Sequence, residues 1–155
     1  DLMFTSVLTR AKRTGILILE QMNQGGLKTI EDEALNERDY GDLSGINKDD
    51  ARKRWGAEQV HAWRRSFYTQ PPGGESLKKT SERVLLYFSK NILPLLKEKQ
   101  EIIIIAHGNS LRALVMKLDK LSPSEIVELE IPTGMPTCYE INEMGVALDK
   151  TFVEL

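Results

Sequence analysis

Thiols and imidazoles are nearly missing from this chain, which carries one cysteine, Cys138, and two histidines, His61 and His107, in 155 residues. A lone cysteine excludes an intramolecular disulfide and a thiolate metal cluster, so no metal is expected and a reducing, cytoplasmic setting is. No apolar run approaches the length of a membrane-spanning helix, and no membrane is expected as a partner. No signal-peptide pattern is legible at the start. An excess of either charge is missing too: 21 basic residues face 23 acidic ones, for a net charge of −2. Without a basic block, nucleic acid is not an expected partner.

What is present suits one α/β domain over residues 1–155. Hydrophobic residues make up 41% of the chain, enough for a substantial core. The most informative stretch runs from Glu101 through four isoleucines and Ala106 to His107-Gly108-Asn109-Ser110-Leu111-Arg112. The β-branched run predicts a strand covered on both faces, ending at His107. Gly108 permits a tight turn, and Asn109 or Ser110 is expected to cap a helix beginning near Leu111. A histidine at the carboxyl end of a parallel strand, beside a helix N-terminus, stands where α/β sheets bind anions.

The remaining pattern alternates strand and helix. Leu2 to Phe4 and Lys28 to Ile30 predict short strands, and Ser6 predicts the cap of a helix reaching about Gln21. Residues Ala34 to Gly45 have no clean period and predict a long functional loop. Helices follow over Lys48–Trp55, Ala57–Phe67 and Glu75–Lys97, the last with a kink expected near Pro94, and the 70–74 stretch is a turn. A short helix begins after Ser122-Pro123. Two strands, Thr137 to Ile141 and Ala147 to Val153, flank a turn near Asn142 to Gly145. Such alternation predicts a largely parallel sheet between helices.

Four polar clusters lack a packing explanation. Arg10 falls on the first turn of a helix, where it opposes the macrodipole unless an anion is near. Glu37 lies in the acid-rich stretch Asn36-Glu37-Arg38-Asp39-Tyr40-Gly41, where a carboxyl group is available for proton transfer. Lys48 and the pair Arg64-Arg65 form the third cluster. Adjacent arginines on a helix point about 100° apart, yet from a rim they can converge on one multiply charged ligand. The His107 turn is the fourth. On local grounds alone each also fits a solvated surface or a simple helix cap. His61 reads as a surface histidine.

Taken in order, the motifs resemble the 2,3-bisphosphoglycerate-dependent phosphoglycerate mutases of the histidine phosphatase superfamily. They comprise Thr5 to Ala11, Leu35 to Gly41, Gly45 to Lys48, Trp63 to Arg65, Pro71-Pro72, Gly74 to Leu77, Ala106 to Leu114 and Ile131 to Gly134. The resemblance implies a three-layer α/β sandwich, 2,3-bisphosphoglycerate as primer, and small phosphorylated three-carbon acids as substrates. It also implies a homodimer or higher homo-oligomer, and a place in glycolysis and gluconeogenesis. By the same resemblance Arg10 binds phosphate, and Glu37 is the general acid/base. Tyr40, Lys48, Arg64 and Arg65 hold the rest of the substrate. His107 stabilises the transferring phosphoryl group, with Gly108 and Asn109 adding donors.

Two departures stand out. The family's nucleophile is a histidine in an Arg-His-Gly motif on a central strand, and this chain has no such motif. The chain is therefore expected to begin mid-fold, as about the C-terminal three quarters of the family's domain. The junction from Gln70 to Glu75 is also shorter than in well-known members, which loosens water exclusion and favours hydrolysis. A broad-specificity phosphatase and a non-catalytic phospho-ligand-binding fragment are the alternative expectations.

Overall fold

In the computed structural model, which describes residues 1–153, β1 (Leu2–Thr5) lies between β2 (Thr29–Glu31) and β3 (Ile102–Ile105), parallel to both. The last two residues of the expected domain span fall outside the described residues. Alternation along β1 sends neighbouring side chains to opposite faces. Phe4 packs with Leu2, Ile102 and Ile104 against Val84, Phe88, Ile92, Ala113 and Leu114. Those partners belong to α4 (Leu77–Tyr87), the π-helical segment that follows it, and α6 (Gly108–Leu118). Met3 points the other way, toward α1 (Thr9–Gln21). A Cβ on Gly15 of α1 would stand 2.8 Å from the Met3 Cε, so glycine sets how closely that helix approaches the sheet. Helices thus flank the parallel sheet on both sides, as expected.

A satellite core of Leu43, Ala51, Val60 and Trp63 joins α2 (Lys48–Trp55) to α3 (Ala57–Arg65), with Trp55 edge-on to Trp63 at 5.9 Å. After α5 (Leu93–Lys97) and α7 (Pro123–Glu128), the antiparallel pair β4 (Thr137–Ile141) and β5 (Ala147–Phe152) forms a second, separate sheet. Lys150 on β5 pairs with Asp119 at the end of α6, tying the hairpin to the body. No helix among the described residues is long and apolar enough to cross a membrane.

Several expectations are corrected. Ser6 does not cap α1. The N-cap is Leu8, which has no side-chain acceptor, and the Ser6 hydroxyl accepts from the Leu8 N–H at 3.3 Å while facing His107 beyond the neighbouring strand end. The helix expected over Glu75–Lys97 starts after the cap Ser76 and breaks into a π segment at Phe88–Ile92. Proline has no N–H to donate and its ring crowds the preceding turn, so widening just upstream of Pro94 accommodates it. Helix α6 starts at Gly108, three residues earlier than expected, with His107 itself as N-cap and Ser110 Oγ accepting from the His107 N–H at 3.0 Å. Strand β3 is only half-buried, because it forms one edge of the three-stranded sheet. The loop expected from Ala34 to Gly45 opens on one 3-10 turn, Glu33–Leu35, and holds another, Gly41–Leu43.

Candidate functional site

Strands β1 and β3 end side by side at Thr5 and Ile105, and the site is built on their carboxyl ends. His107 follows β3 directly and is buried. Its Nδ1 accepts from Arg10 Nε at 3.2 Å, and its Nε2 lies 2.7 Å from Ser6 Oγ. Because Nδ1 acts as acceptor, the neutral ring carries its proton on Nε2 and donates to Ser6. Burial first, and then the Arg10 charge, hold the His107 pKa below its ordinary value. Cations gathered this closely suit an anion, whose arrival would favour the imidazolium.

Glu37 faces this pair from the loop. Its Oε1 accepts from the Arg38 N–H at 2.8 Å and the Asn109 N–H at 3.1 Å, so the carboxylate sits on a free amide at the start of α6. Oε2 makes no hydrogen bond among the described residues, and it lies 3.9 Å from where a Cβ on Gly108 would stand. One oxygen is anchored and the other is free, a geometry suited to proton transfer. Asn109 Nδ2 donates to the Tyr40 hydroxyl at 3.3 Å, and Arg112 Nη1 donates to Asn109 Oδ1 at 3.4 Å.

The Tyr40 ring lies between two guanidinium groups, with Arg38 Cζ at 4.9 Å and Arg64 Cζ at 5.0 Å from its centroid. Only Arg64 is available to a ligand. Arg38 is buried and donates to the carbonyls of Trp63 at 2.6 Å, Glu75 at 2.8 Å and Thr69 at 3.4 Å. It therefore fixes α3 to the loop. Arg10, Glu37, Tyr40, Lys48 and Arg64 all line one cavity of about 550 Å³. Arg65, the last residue of α3, is exposed and does not line it. His61 is exposed on the same helix.

Outside the cavity lining, the 70–74 turn meets the loop backbone to backbone. Asp42 N–H donates to Pro72 O at 2.9 Å and Glu75 N–H to Asp39 O at 2.7 Å. Gly41 has φ +53°, and a Cβ there would fall 2.1 Å from Pro72 O. No other residue fits that contact.

The comparison that decides the family spans almost the whole chain: the model of the histidine phosphatase superfamily (branch 1) matches residues 1–153. The chain belongs to that superfamily. A relative from Parvibaculum lavamentivorans, named 2,3-bisphosphoglycerate-dependent phosphoglycerate mutase, is 57% identical over 150 residues, covering 97% of this chain and 71% of the relative. One of the same name from Methylorubrum extorquens is 56% identical over 154 residues, covering 99% of this chain and 73% of the relative. Among solved structures, a putative α-ribazole-5'-P phosphatase from Escherichia coli superposes with TM-score 0.79 at 25% identity, covering all (100%) of this chain and 72% of the other. The α-ribazole phosphatase of Shigella flexneri gives TM-score 0.78 at 26% identity, covering 95% of this chain and 70% of the other.

Against the superfamily frame, sequence reasoning missed the residues that hold others in place. Ser6 has the pattern of a cap, and Arg38, Glu75, Arg83 and Arg112 carry no individual signal. Their partners lie up to 101 residues away in sequence, as for Ser6 and His107, so no local pattern reports them. The group implied by the resemblance, 2,3-bisphosphoglycerate, fits the donor set. Arg10, Lys48, Arg64 and Tyr40 offer charge and hydrogen bonds to a compact polyanion in a cavity of small-ligand size, and Asn109, outside the lining, supports the Tyr40 hydroxyl.

Proposed function

We propose that this chain interconverts 2-phosphoglycerate and 3-phosphoglycerate through a phosphohistidine, within a protein that also supplies an upstream Arg-His-Gly strand. The observation carrying this reading is the single cavity where Arg10, wired to His107, and the half-free Glu37 carboxylate face Tyr40, Lys48 and Arg64. A phosphatase needs the first two elements. A mutase also needs the third, because its substrate must be held by the end that does not react while it reorients. Relatives at 56–57% identity that bear the mutase name support the same choice.

The geometry supports a role for each residue. Arg10 and His107 bear on the equatorial oxygens of the transferring group, with the amides at the start of α6 beside them. Glu37 moves a proton between Oε2 and the substrate hydroxyl. Tyr40, Lys48, Arg64 and, on the rim, Arg65 hold the carboxylate and the second phosphate, with Gly108 and Asn109 closing the helix end. 2,3-Bisphosphoglycerate, when bound, supplies the phosphoryl group that primes the histidine. Both His107 ring nitrogens already have partners, which favours a stabilising role over a nucleophilic one. The half-buried edge of β3 and the separate β4–β5 sheet favour a further strand between them. On this reading the chain is about three quarters of a cytoplasmic, homodimeric or larger enzyme of glycolysis and gluconeogenesis. The short 70–74 turn favours some hydrolysis beside mutase turnover.

The test is Glu37→Gln in the full-length protein, which keeps size and hydrogen bonding and removes the proton. Mutase turnover falls by about 100-fold or more, while substrate affinity changes far less. Near-normal turnover would remove the assignment. A wild-type protein that hydrolysed phosphoglycerates without interconverting them would favour the phosphatase reading, which the solved phosphatase neighbours keep in view.

A further inference from the structure

Behind the cavity, and outside its lining, one ion pair gathers the backbone on both sides of Glu37. Arg83, on the second turn of α4, donates Nε to Glu75 Oε1 at 2.8 Å and Nη2 to Glu75 Oε2 at 2.9 Å. The same guanidinium reaches the loop, donating Nη1 to Ala34 O at 2.7 Å and Nη2 to Glu37 O at 3.2 Å. Glu75 completes the grip from the other side. Its Oε2 accepts from the Asp39 N–H at 3.2 Å and from Thr80 Oγ1 at 3.1 Å. Its own N–H donates to Asp39 O at 2.7 Å, and its carbonyl accepts from Arg38 Nε at 2.8 Å. Residues 34, 37, 38 and 39 are thus each bonded to one member of the pair. Both side chains are largely shielded, 26% exposed for Arg83 and 23% for Glu75.

We infer that Glu75 and Arg83 form a positioning pair that holds the Glu37 peptide so its carboxylate stays on the amide of Asn109 with Oε2 free. The inference rests on Glu37 being the acid/base. A shielded ion pair is weak evidence for stability, since the desolvation of both ions offsets much of their attraction. Its geometry is informative in a different way. A planar fork serving one carboxylate and two carbonyls cannot be reproduced by the single ammonium of lysine, even though the charge is kept. Burial alone would raise the Glu75 carboxyl, but Arg83, the Asp39 amide and Thr80 together hold it below the ordinary carboxylate value. The pair is therefore charged at neutral pH. Misplacing Glu37 by about 1 Å leaves substrate binding intact but spoils proton transfer.

The experiment uses the full-length protein and the variants Arg83→Lys and Glu75→Gln, each alone and combined with Glu37→Gln. Thermal melts check folding, and kcat and KM are measured with 3-phosphoglycerate. Alone, Arg83→Lys lowers kcat on the order of 10- to 100-fold with KM changed less than about threefold. In the Glu37→Gln background the same substitution lowers kcat by less than about threefold, because the group it positions has already lost its proton. Glu75→Gln behaves likewise, and it carries the test if Arg83→Lys does not fold. Equal losses in both backgrounds, a loss confined to KM, or normal kcat in a folded variant would overturn the positioning role. Normal turnover in Glu37→Gln alone would instead overturn the acid/base reading, and the positioning role with it.

Discussion

Arg64→Ala separates a substrate-holding arginine from a surface one. Arg64, in the last turn of α3, lines the cavity and stacks on Tyr40, and among the described residues its guanidinium has no hydrogen bond or ion pair. Within the folded protein its charge makes the Tyr40 contact, worth about 0.5 kcal/mol at so open a site, and is repelled by Arg38, so truncation removes little that holds the fold. If it grips the phosphate or carboxylate that does not react, truncation costs about 1.5–3 kcal/mol of substrate binding. That corresponds to about 10- to 150-fold in affinity. The loss belongs in KM and in the mutase-to-phosphatase ratio, because a loosely held intermediate escapes before it turns round. Coupled assays of 2-phosphoglycerate formation and of phosphate release measure both in the full-length protein. Arg65→Ala, made beside it, has a smaller effect, since that side chain stands outside the cavity. An Arg64→Ala enzyme with unchanged KM and unchanged partition would refute the reasoning.

Three further outcomes are expected. Gly41→Ala forces a Cβ against Pro72 O at positive φ and destabilises the fold by about 1–3 kcal/mol, read as a lower denaturation midpoint with the Arg64→Ala protein as the stable control. His107, whose folded pKa is lowered by burial and then by Arg10, contributes stability that is full above its unfolded value near 6.5. That contribution is lost as pH falls toward the folded value, so the stability of wild type relative to His107→Asn should fall below about pH 6.5, and inorganic phosphate should lessen the fall. A pH-independent difference would contradict this. Finally, residues 1–155 alone should be poorly soluble, without mutase activity and without acid-labile phosphate taken from 2,3-bisphosphoglycerate, and an upstream Arg-His-Gly strand should restore all three. Soluble protein labelled on His107 would reverse both the truncation and the nucleophile assignment.

Local signals in the sequence reported local structure well. The four-isoleucine run, the Ser122 cap and the Gly56 break between α2 and α3 mark elements within a residue or two of where they lie. The clusters around Arg10, Glu37, Lys48 and His107 do meet at one cavity or along its edge. Illegible were the contacts whose partners are remote. Ser6 carries the signature of a helix cap and serves His107. Arg38 looks like one more charge in a polar loop, yet it is buried under three carbonyls. The half-burial of β3 escaped as well, because an apolar run reports how a strand is composed and not whether a neighbour is present beside it.

The pairing of Leu2 with Ile102 joins residues a hundred positions apart, and the Arg10–His107 contact is nearly as remote. Pairings this distant are slow to form, since the intervening chain must close before any ladder bond rewards it. At synthesis rates of about 5–20 residues per second, β1 waits on the order of 5–20 s for β3 to emerge. Through that interval the short β2 is the only partner available to β1 from the described strands, and the other edge of β1 lies open to neighbouring chains. Slowing synthesis over residues 30–100 would lengthen the wait and increase aggregation of newborn chains, even though the finished protein would be unchanged.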